Sequence, residues 1–432
     1  MLTILSDMIK INNKRQCCGC EACVQICTKH CITFEEDKEG FRYPVVDISA
    51  CVECGRCEKV CPFRNFGSTS EPEVVYAIQN KNEQDLLRSS SGGFFLLLAK
   101  KIIAEGGVVF GATFNRNWEV EHSYAETEDD VRKFMGSKYV QSRIGESYID
   151  AQKFLNEGRK VLFSGTPCQV AGLKNFIRKD YANLLTVDFI CHGVPSPLVW
   201  RLYLDEIVES ARKGENSVSL PLNHSISERD TLFSDVNVKI ESISFRDKRL
   251  GWKKYSFALT LAEASADGKK NTVSLSYWHR ENPYMLGFLS NLILRPSCHQ
   301  CKLKHGSSGS DITIADFWGI QNIRPVLDDD KGCSMVILNS EIGHKYVGDL
   351  LKDCPQIPFK DAIVGNGAYF NSPRRHPNRK KFFSRLQDVI TKEKSDGEYL
   401  AYQMIRLSRI PLLYKIQRKI EDKLIDIWGK RK

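Results

Sequence analysis

The chain has 432 residues, with 42% hydrophobic and 27% charged residues, which is room for two or three globular domains. No apolar run approaches the roughly 20 residues of a membrane span. The formal net charge is +9, but no interleaved basic and aromatic pattern points to nucleic acid, so acidic protein partners and phosphate-bearing cofactors fit it better.

The N-terminus, MLTILSDMIKINNKRQCC, breaks its apolar stretch with Asp7 and has no small-residue cleavage site, so no signal peptide is expected. Sixteen cysteines in such a chain argue for reduced thiols used as ligands in a cytoplasmic protein. The first run reads Cys17-x2-Cys20-x2-Cys23-x3-Cys27. The second reads Cys51-x2-Cys54-x2-Cys57-x3-Cys61-Pro62. This is the bacterial ferredoxin spacing written twice, and it predicts two [4Fe-4S] clusters in a module over residues 1–66. Three thiolates of a run converge from one tight loop, and the fourth reaches the other cluster. The expected sets are Cys17, Cys20, Cys23 and Cys61 for one cluster, and Cys51, Cys54, Cys57 and Cys27 for the other. Cys18 and Cys31 fall outside the register and are expected as bystanders. Gly19 and Gly55 suit loops whose backbone must approach sulfur closely. Thr28 stands where proline usually follows the fourth cysteine, which loosens the turn without touching ligation. Zinc is the alternative occupant of Cys-x2-Cys pairs.

GSTSEP (67–72) reads as a linker. Strand-like EVVYAIQ, GVVFGATF, VLFSG and LLTVDFICHG then alternate with helix-like GGFFLLLAKKIIAEG and CQVAGLKNFIRK, which predicts an α/β layer. Residues 210–240 are polar and irregular. From 241 the pattern turns β-rich, with ESISFRD, KYSFALTLAE and TVSLSYW, and a last α/β portion runs to about 395. The fold class is therefore α+β or α/β multidomain: a small ferredoxin-like module, then an α/β core over 74–200, then 201–395 with a β-rich insertion. In the tail, 396–432, Leu412, Leu413, Ile416, Ile420, Leu424 and Ile427 share one helical face opposite basic residues. Docking on the core or on a partner protein is expected of it, rather than peripheral membrane contact.

Several residues suggest chemistry. Ser90, Ser91, Gly92 and Gly93 open the way to backbone N–H groups at a helix start, an anion site suited to a diphosphate, unless Ser91 is a plain N-cap. Lys138 and Tyr139 offer a charge and a ring, or a solvated lysine beside a core tyrosine. Gly165 and Thr166 end a strand, where open sheets gather ligands, and Cys168 follows at a helix N-terminus with an expected lowered pKa. Cys191 and His192 repeat that arrangement, and Cys168 and His192 are the catalytic candidates. Cys298 and Cys301 form a Cys-x2-Cys pair. Cys168, Cys191, Cys298 and Cys301 match one further cubane's demand, against zinc on the pair or unrelated thiols. Cys333 and Cys354 are expected to pack.

Seven phrases, SSSGGFF, GGVVFGATF, GSKYVQS, FSGTPCQVAGLK, DFICHGVPSP, RPSCHQCKLKHG and DITIADFWGI, together resemble the coenzyme F-420 hydrogenase/dehydrogenase beta-subunit family over roughly residues 74–380. The resemblance implies a flavin-binding core: FAD exchanging electrons between iron–sulfur centres and a soluble hydride carrier, with an electron-transfer protein as partner. It also implies a homo-oligomer or a larger complex. The alternative is a non-catalytic relay subunit, in a polysaccharide-synthesis context.

Overall fold

A computed structural model describes residues 8–67, 72–212, 238–264, 270–391 and 400–409. Each cysteine run folds as a loop ending in a single helical turn, Ala22–Gln25 and Arg56–Lys59. Both turns start from a left-handed residue, Glu21 at φ 60° and Gly55 at φ 68°. Between the runs lies a hairpin of β1 (Ile32–Glu36) and β2 (Arg42–Val46), with Ile32 opposite Val46. The Asp37 carboxylate closes it by accepting the N–H groups of Glu39 and Phe41, both at 2.9 Å, an Asx-type turn.

The body is built on one sheet. Its strands are β3 (Val74–Ile78), β4 (Val108–Phe114), β5 (Val120–Ala125), β6 (Val161–Ser164) and β7 (Leu184–Phe189). A separate antiparallel sheet comprises β8 (Val238–Asp247), β9 (Ser256–Ala264) and β10 (Lys270–Trp278). The main sheet is completed by β11 (Ile312–Asp316), β12 (Ser334–Leu338) and β13 (Gln356–Pro358), giving the eight-stranded order β13-β3-β12-β11-β7-β6-β4-β5. Strands β4, β6, β7 and β11 are parallel neighbours. Being covered on both faces, they read as apolar runs: Val161, Leu162 and Phe163 are all fully buried.

One face is covered by helices Phe94–Ala104 and Glu341–Leu351, whose Phe94, Leu98, Ile102 and Val347 pack on Leu162, Leu185 and Val336. On the other face, Cys20, Cys23, Ile32 and Val60 of the cysteine module join one hydrophobic core with Tyr148, Phe163, Val170 and Phe176. The second sheet, β8–β10, packs an aromatic cluster against helix Pro197–Arg212. There Trp200 lies 4.9 Å from Tyr284 and 5.0 Å from Phe245, centroid to centroid.

Two features differ from the sequence expectation. The 200/201 boundary falls inside helix Pro197–Arg212. Residues 74–189 and 312–358 also share one sheet, because β11 pairs with β7 on one side and β12 on the other. Sequence separation hid this: the insertion stands between strands that are spatial neighbours. Most of the linker, residues 213–237 and the amphipathic tail beyond 409 lie outside the described residues.

The loop between helices Glu83–Arg88 and Phe94–Ala104 is pinned to β12. Gly92 N–H donates to Ser334 Oγ at 2.9 Å, and a Cβ on Gly92 would sit 2.1 Å from Ile78 O and 2.4 Å from Ser334 N. Gly92→Ala is expected to cost about 1–3 kcal/mol by overpacking. Gly348→Ala is the contrast: a Cβ there meets nothing within 4 Å, and in a helix it is expected to hold or raise stability, by up to ~1 kcal/mol. Thermal melts of the two variants check this; an unchanged melting temperature for Gly92→Ala would contradict the packing argument.

Candidate metal centre

Within the cysteine module the thiols gather in two groups. Burial, and then the neighbouring Cys17, Cys61 and Cys57, push the Cys23 thiol well above its ordinary value. Burial likewise pushes Cys61 up to about 11, with Cys17 among its neighbours. The fourth cysteine of the second run thus stands with the first three of the first run. In the other group, Cys27 and Cys31 bring their sulfurs to 3.4 Å, with Cys51 beside them, and Cys57 is near Cys51 and Cys54. Cys31 therefore lies in contact with the candidate ligand Cys27.

Cys18 lines a cavity with Cys168, Cys191, Cys298, Cys301 and His192. The fold explains the convergence. Cys168 opens the helix Pro167–Ile177 after β6, and Cys191 lies two residues past its parallel neighbour β7. Cys298 and Cys301 come from the turn Pro296–Gln300, which a bridge between Pro195 and Leu294 holds against the same edge. The cavity has a volume of about 50 Å³, far below the several hundred Å³ of an organic cofactor's pocket. A compact inorganic group suits it, and the thiol lining is a donor set for iron. Among the described residues, no three His, Cys, Asp or Glu side chains converge tightly enough for a single ion.

The expected lowering of the Cys168 pKa is corrected here. The Cys18 thiol and burial push it well above the ordinary value, outweighing the helix N-terminus. A free nucleophilic thiolate is not what this site makes. Burial lowers the pKa of His192. Its Nε2 lies 2.6 Å from Asn291 Oδ1 and its ring stands edge-on to Phe288, so it is held rather than free to swing.

The sites expected around Ser90 take a different form. The helix Phe94–Ala104 is capped by Gly93 at φ 82° without a side-chain hydrogen bond, so Ser91 is not its N-cap. Ser91 Oγ donates instead to Cys333 O at 2.8 Å. Ser90 Oγ accepts from Ser137 N at 2.6 Å and contacts Ser137 Oγ at 2.9 Å, which ties this loop to Lys138. The Lys138 amine donates to the carbonyls of Met135 (3.0 Å) and Gly136 (3.3 Å), and loss of surrounding water pulls its pKa down to about 7. The Tyr139 ring packs on Phe288 at 4.6 Å and on Phe245 at 5.5 Å. Thr166 N–H donates to Gln169 Oε1 at 2.9 Å, and its Oγ1 contacts the Cys168 sulfur at 3.2 Å. Gly165 faces His122, 3.4 Å from where a Cβ would stand.

Three groups escaped sequence reasoning. Lys248, buried, donates to the carbonyls of Leu86, Ser91 and Lys331 and so clamps the Ser90 loop. Arg246 pairs with Asp316 at 2.7 Å. Asp188, raised to about 6 by burial, accepts from Ser308 and Thr313 hydroxyls at 2.6 Å on the cavity wall. Asp188 lay inside a phrase already singled out, but single charged residues carry no periodic signal.

His122 gives this region a pH signature. Burial pulls its pKa from 6.5 to about 4, and Ser164 O lies 3.0 Å from its Nε2. The folded state therefore resists its protonation, and stability falls as pH drops from the unfolded value toward the folded one. Between pH 7 and 5.5 this group's share of the loss is about 1 kcal/mol. His122→Gln should show a shallower loss in chemical unfolding at those two pH values; an equal slope would refute the assignment.

Two family descriptions match parts of the chain. Residues 16–65 match the 4Fe-4S dicluster domain, and residues 158–215 match the C-terminal part of the coenzyme F420 hydrogenase/dehydrogenase beta subunit. The F subunit of the F(420)H(2) dehydrogenase of Methanosarcina mazei is 25% identical over 188 residues, 40% of this chain and 53% of that protein. The I 2 subunit of the NADH-quinone oxidoreductase of Geobacter metallireducens is 34% identical over 69 residues, 15% of this chain and 53% of that protein. The chain thus spans about half the length of these relatives. A chain of the F420-reducing [NiFe] hydrogenase complex from Methanosarcina barkeri superposes with a TM-score of 0.40 at 17% identity, over 77% of this chain and 94% of that one. Residues 16–65 thus form a 4Fe-4S dicluster domain, and residues 158–215, within the body, are related to the C-terminal part of coenzyme F420 hydrogenase/dehydrogenase beta subunits.

Proposed function

We propose that the chain is an iron–sulfur flavoprotein oxidoreductase, exchanging electrons between an electron-transfer protein and a soluble hydride carrier. The observation that carries this reading is the cysteine-lined cavity at the carboxyl ends of β6 and β7, with Cys18 of the dicluster module on its wall. A third cluster is supported by the shared wall, on which Cys18 stands with Cys168, Cys191, Cys298 and Cys301. When bound, the clusters carry single electrons and FAD couples them to two-electron hydride chemistry.

The chain's own residues have distinct tasks in this reading. Cys17, Cys20, Cys23 and Cys61 hold one cluster, and Cys51, Cys54, Cys57 and Cys27 hold the other. Cys168, Cys191, Cys298 and Cys301 hold the third. A zinc held by Cys298 and Cys301 with two other ligands is the rival occupant. Lys138, beside the Ser90 loop and bonded only to carbonyls, supplies positive charge for the FAD diphosphate. The start of helix Phe94–Ala104 supplies N–H groups with no side-chain cap. Gly92 is excluded from that task, since Ser334 takes its N–H. Cys54 is exposed, and the adjacent Val52 and nearby Ile48 are 60% and 68% exposed, which suits docking of the one-electron partner. Membership of a larger complex follows the relatives named as subunits, and none of the described helices is long and apolar enough to cross a membrane.

Iron counting on anaerobically reconstituted full chain tests the ligand sets. Three cubanes give about 12 irons and two give about 8. Cys298→Ser is expected to remove about four, and Cys61→Ala about four from the other group. A count near 8 that Cys298→Ser leaves unchanged refutes the third centre, and stoichiometric zinc would restore the structural alternative. The flavin assignment has its own test: Lys138→Met should lose most bound flavin, read from visible absorption, while iron content stays constant. Undiminished flavin would remove Lys138 from the site. Oxidation of a reduced hydride carrier by the isolated chain separates the enzyme from a relay subunit, which would show none.

A further inference from the structure

Arg295 is fully buried, and its surroundings are unusual for a guanidinium. Its Nε donates to Cys17 O at 2.8 Å, Nη1 to Gln141 Oε1 at 2.9 Å, and Nη2 to Arg42 O at 2.9 Å. Nη2 also points at the Cys17 sulfur, 3.6 Å away. Its planar face lies over Tyr43 at 4.4 Å and Phe41 at 5.4 Å. None of these partners is a carboxylate. Glu21, in the same neighbourhood, is engaged by Arg42 at 3.3 Å and by Gly145 N–H at 3.0 Å. A charge taken out of water without a counter-ion is costly. The guanidinium feels the more distant Glu21 carboxylate and the Tyr43 hydroxyl, and the remaining groups that face it are sulfurs: Cys17, at 3.6 Å from Nη2, with Cys18 and Cys298 beyond.

The backbone is shaped to admit this side chain. Gly19 sits at φ +73°, and a Cβ on it would lie 2.9 Å from Arg295 Nη1 and 2.5 Å from Gln141 Nε2. Any other residue at position 19 would push the guanidinium away from the cysteine loop. The same arginine is tied to the other side of the junction. Its N–H donates to Val194 O at 2.9 Å, and its carbonyl accepts Cys298 N–H at 3.0 Å. One residue therefore touches a dicluster ligand through its side chain and a cavity cysteine through its backbone.

We propose that Arg295 is a positioning residue that sets the reduction potential of the cluster held by Cys17 above that of its neighbour. The inference rests on the ligand reading given above, in which the Cys17 thiol stands for a thiolate on iron. Adding an electron makes such a centre more negative, and a fixed positive charge with an N–H aimed at its sulfur favours that form. In the second group, Cys57 accepts the backbone N–H of Ile9 at 3.2 Å, a neutral donor with no fixed charge behind it. The electron is then biased toward the inner face of the module, against the cysteine-lined cavity.

The test is a redox titration of the full chain, followed by the electron paramagnetic resonance of the reduced clusters. Cys17→Ser first identifies which potential belongs to the cluster that residue holds. Arg295→Gln should lower that same potential by at least tenfold in the equilibrium constant for reduction, about 59 mV for one electron, and leave the others in place. Arg295→Lys should shift it less. Gln141→Glu keeps the arginine and puts a carboxylate beside Nη1; it should lower the same potential, and it covers the case in which Arg295→Gln does not fold. If Cys17→Ser changes no potential, the ligand reading fails. If it does, and both Arg295→Gln and Gln141→Glu leave that potential unmoved, or if all potentials fall together, the assignment to Arg295 is wrong.

Discussion

A thiolate buried away from water needs a cation beside it. This constraint governs most of the molecule. Cys20, Cys23, Cys168, Cys191 and Cys298 are surrounded by protein, and all have pKa values pushed upward, from burial and from one another. As free thiols they are inert; as iron ligands they become thiolates with the metal as counter-charge. The same constraint explains why the Cys168 thiol lies above its ordinary pKa, where a lowered one is expected of a helix N-terminus. A helix N-terminus alone does not hold a thiolate when another thiol and an apolar wall stand against it.

The dicluster module is part of the body's core rather than an appendage. Helix Pro167–Ile177 lies so close to the first cysteine loop that a Cβ on Gly172 would be 3.2 Å from the Cys20 sulfur. Tyr148 packs against the same helix and donates to Gln169 O at 2.8 Å. Gln141 Nε2 donates to Cys18 O at 3.0 Å, and Arg379 pairs with Glu39 and donates to Leu294 O at 2.8 Å. Buried contacts of this kind fix separation and orientation, which is what electron exchange between neighbouring centres requires. A flexible tether would supply neither.

The loop that carries Ser90 follows a different logic. The Ser90 loop is tied by Ser137, Ser334 and the Lys248 clamp, so its backbone shape is settled by the fold before any ligand arrives. Lys138 is left bonded to carbonyls alone. This loop lies in the connection that follows β3, a strand whose two neighbours are both antiparallel, so it stands apart from the parallel core of the sheet.

The sequence by itself determined the two cysteine runs, because ligand spacing within a short loop is a local property that survives in one dimension. It also determined the strand and helix alternation, and the phrases that resemble a family. It did not reveal that β11 would pair with β7 across the insertion, since strand pairing depends on which edges remain open once the chain collapses. Cys18 looked like a spare residue because its partner, Cys168, is 150 positions away. Gly92 read as a ligand-facing glycine, and packing against Ile78 and Ser334 made it a structural one. Arg295 is a single charged residue near two cysteines and has no pattern of its own in the sequence. Only tertiary structure decided its role, because a buried charge gains its meaning from what surrounds it, and its surroundings come from residues 17, 42, 43 and 141.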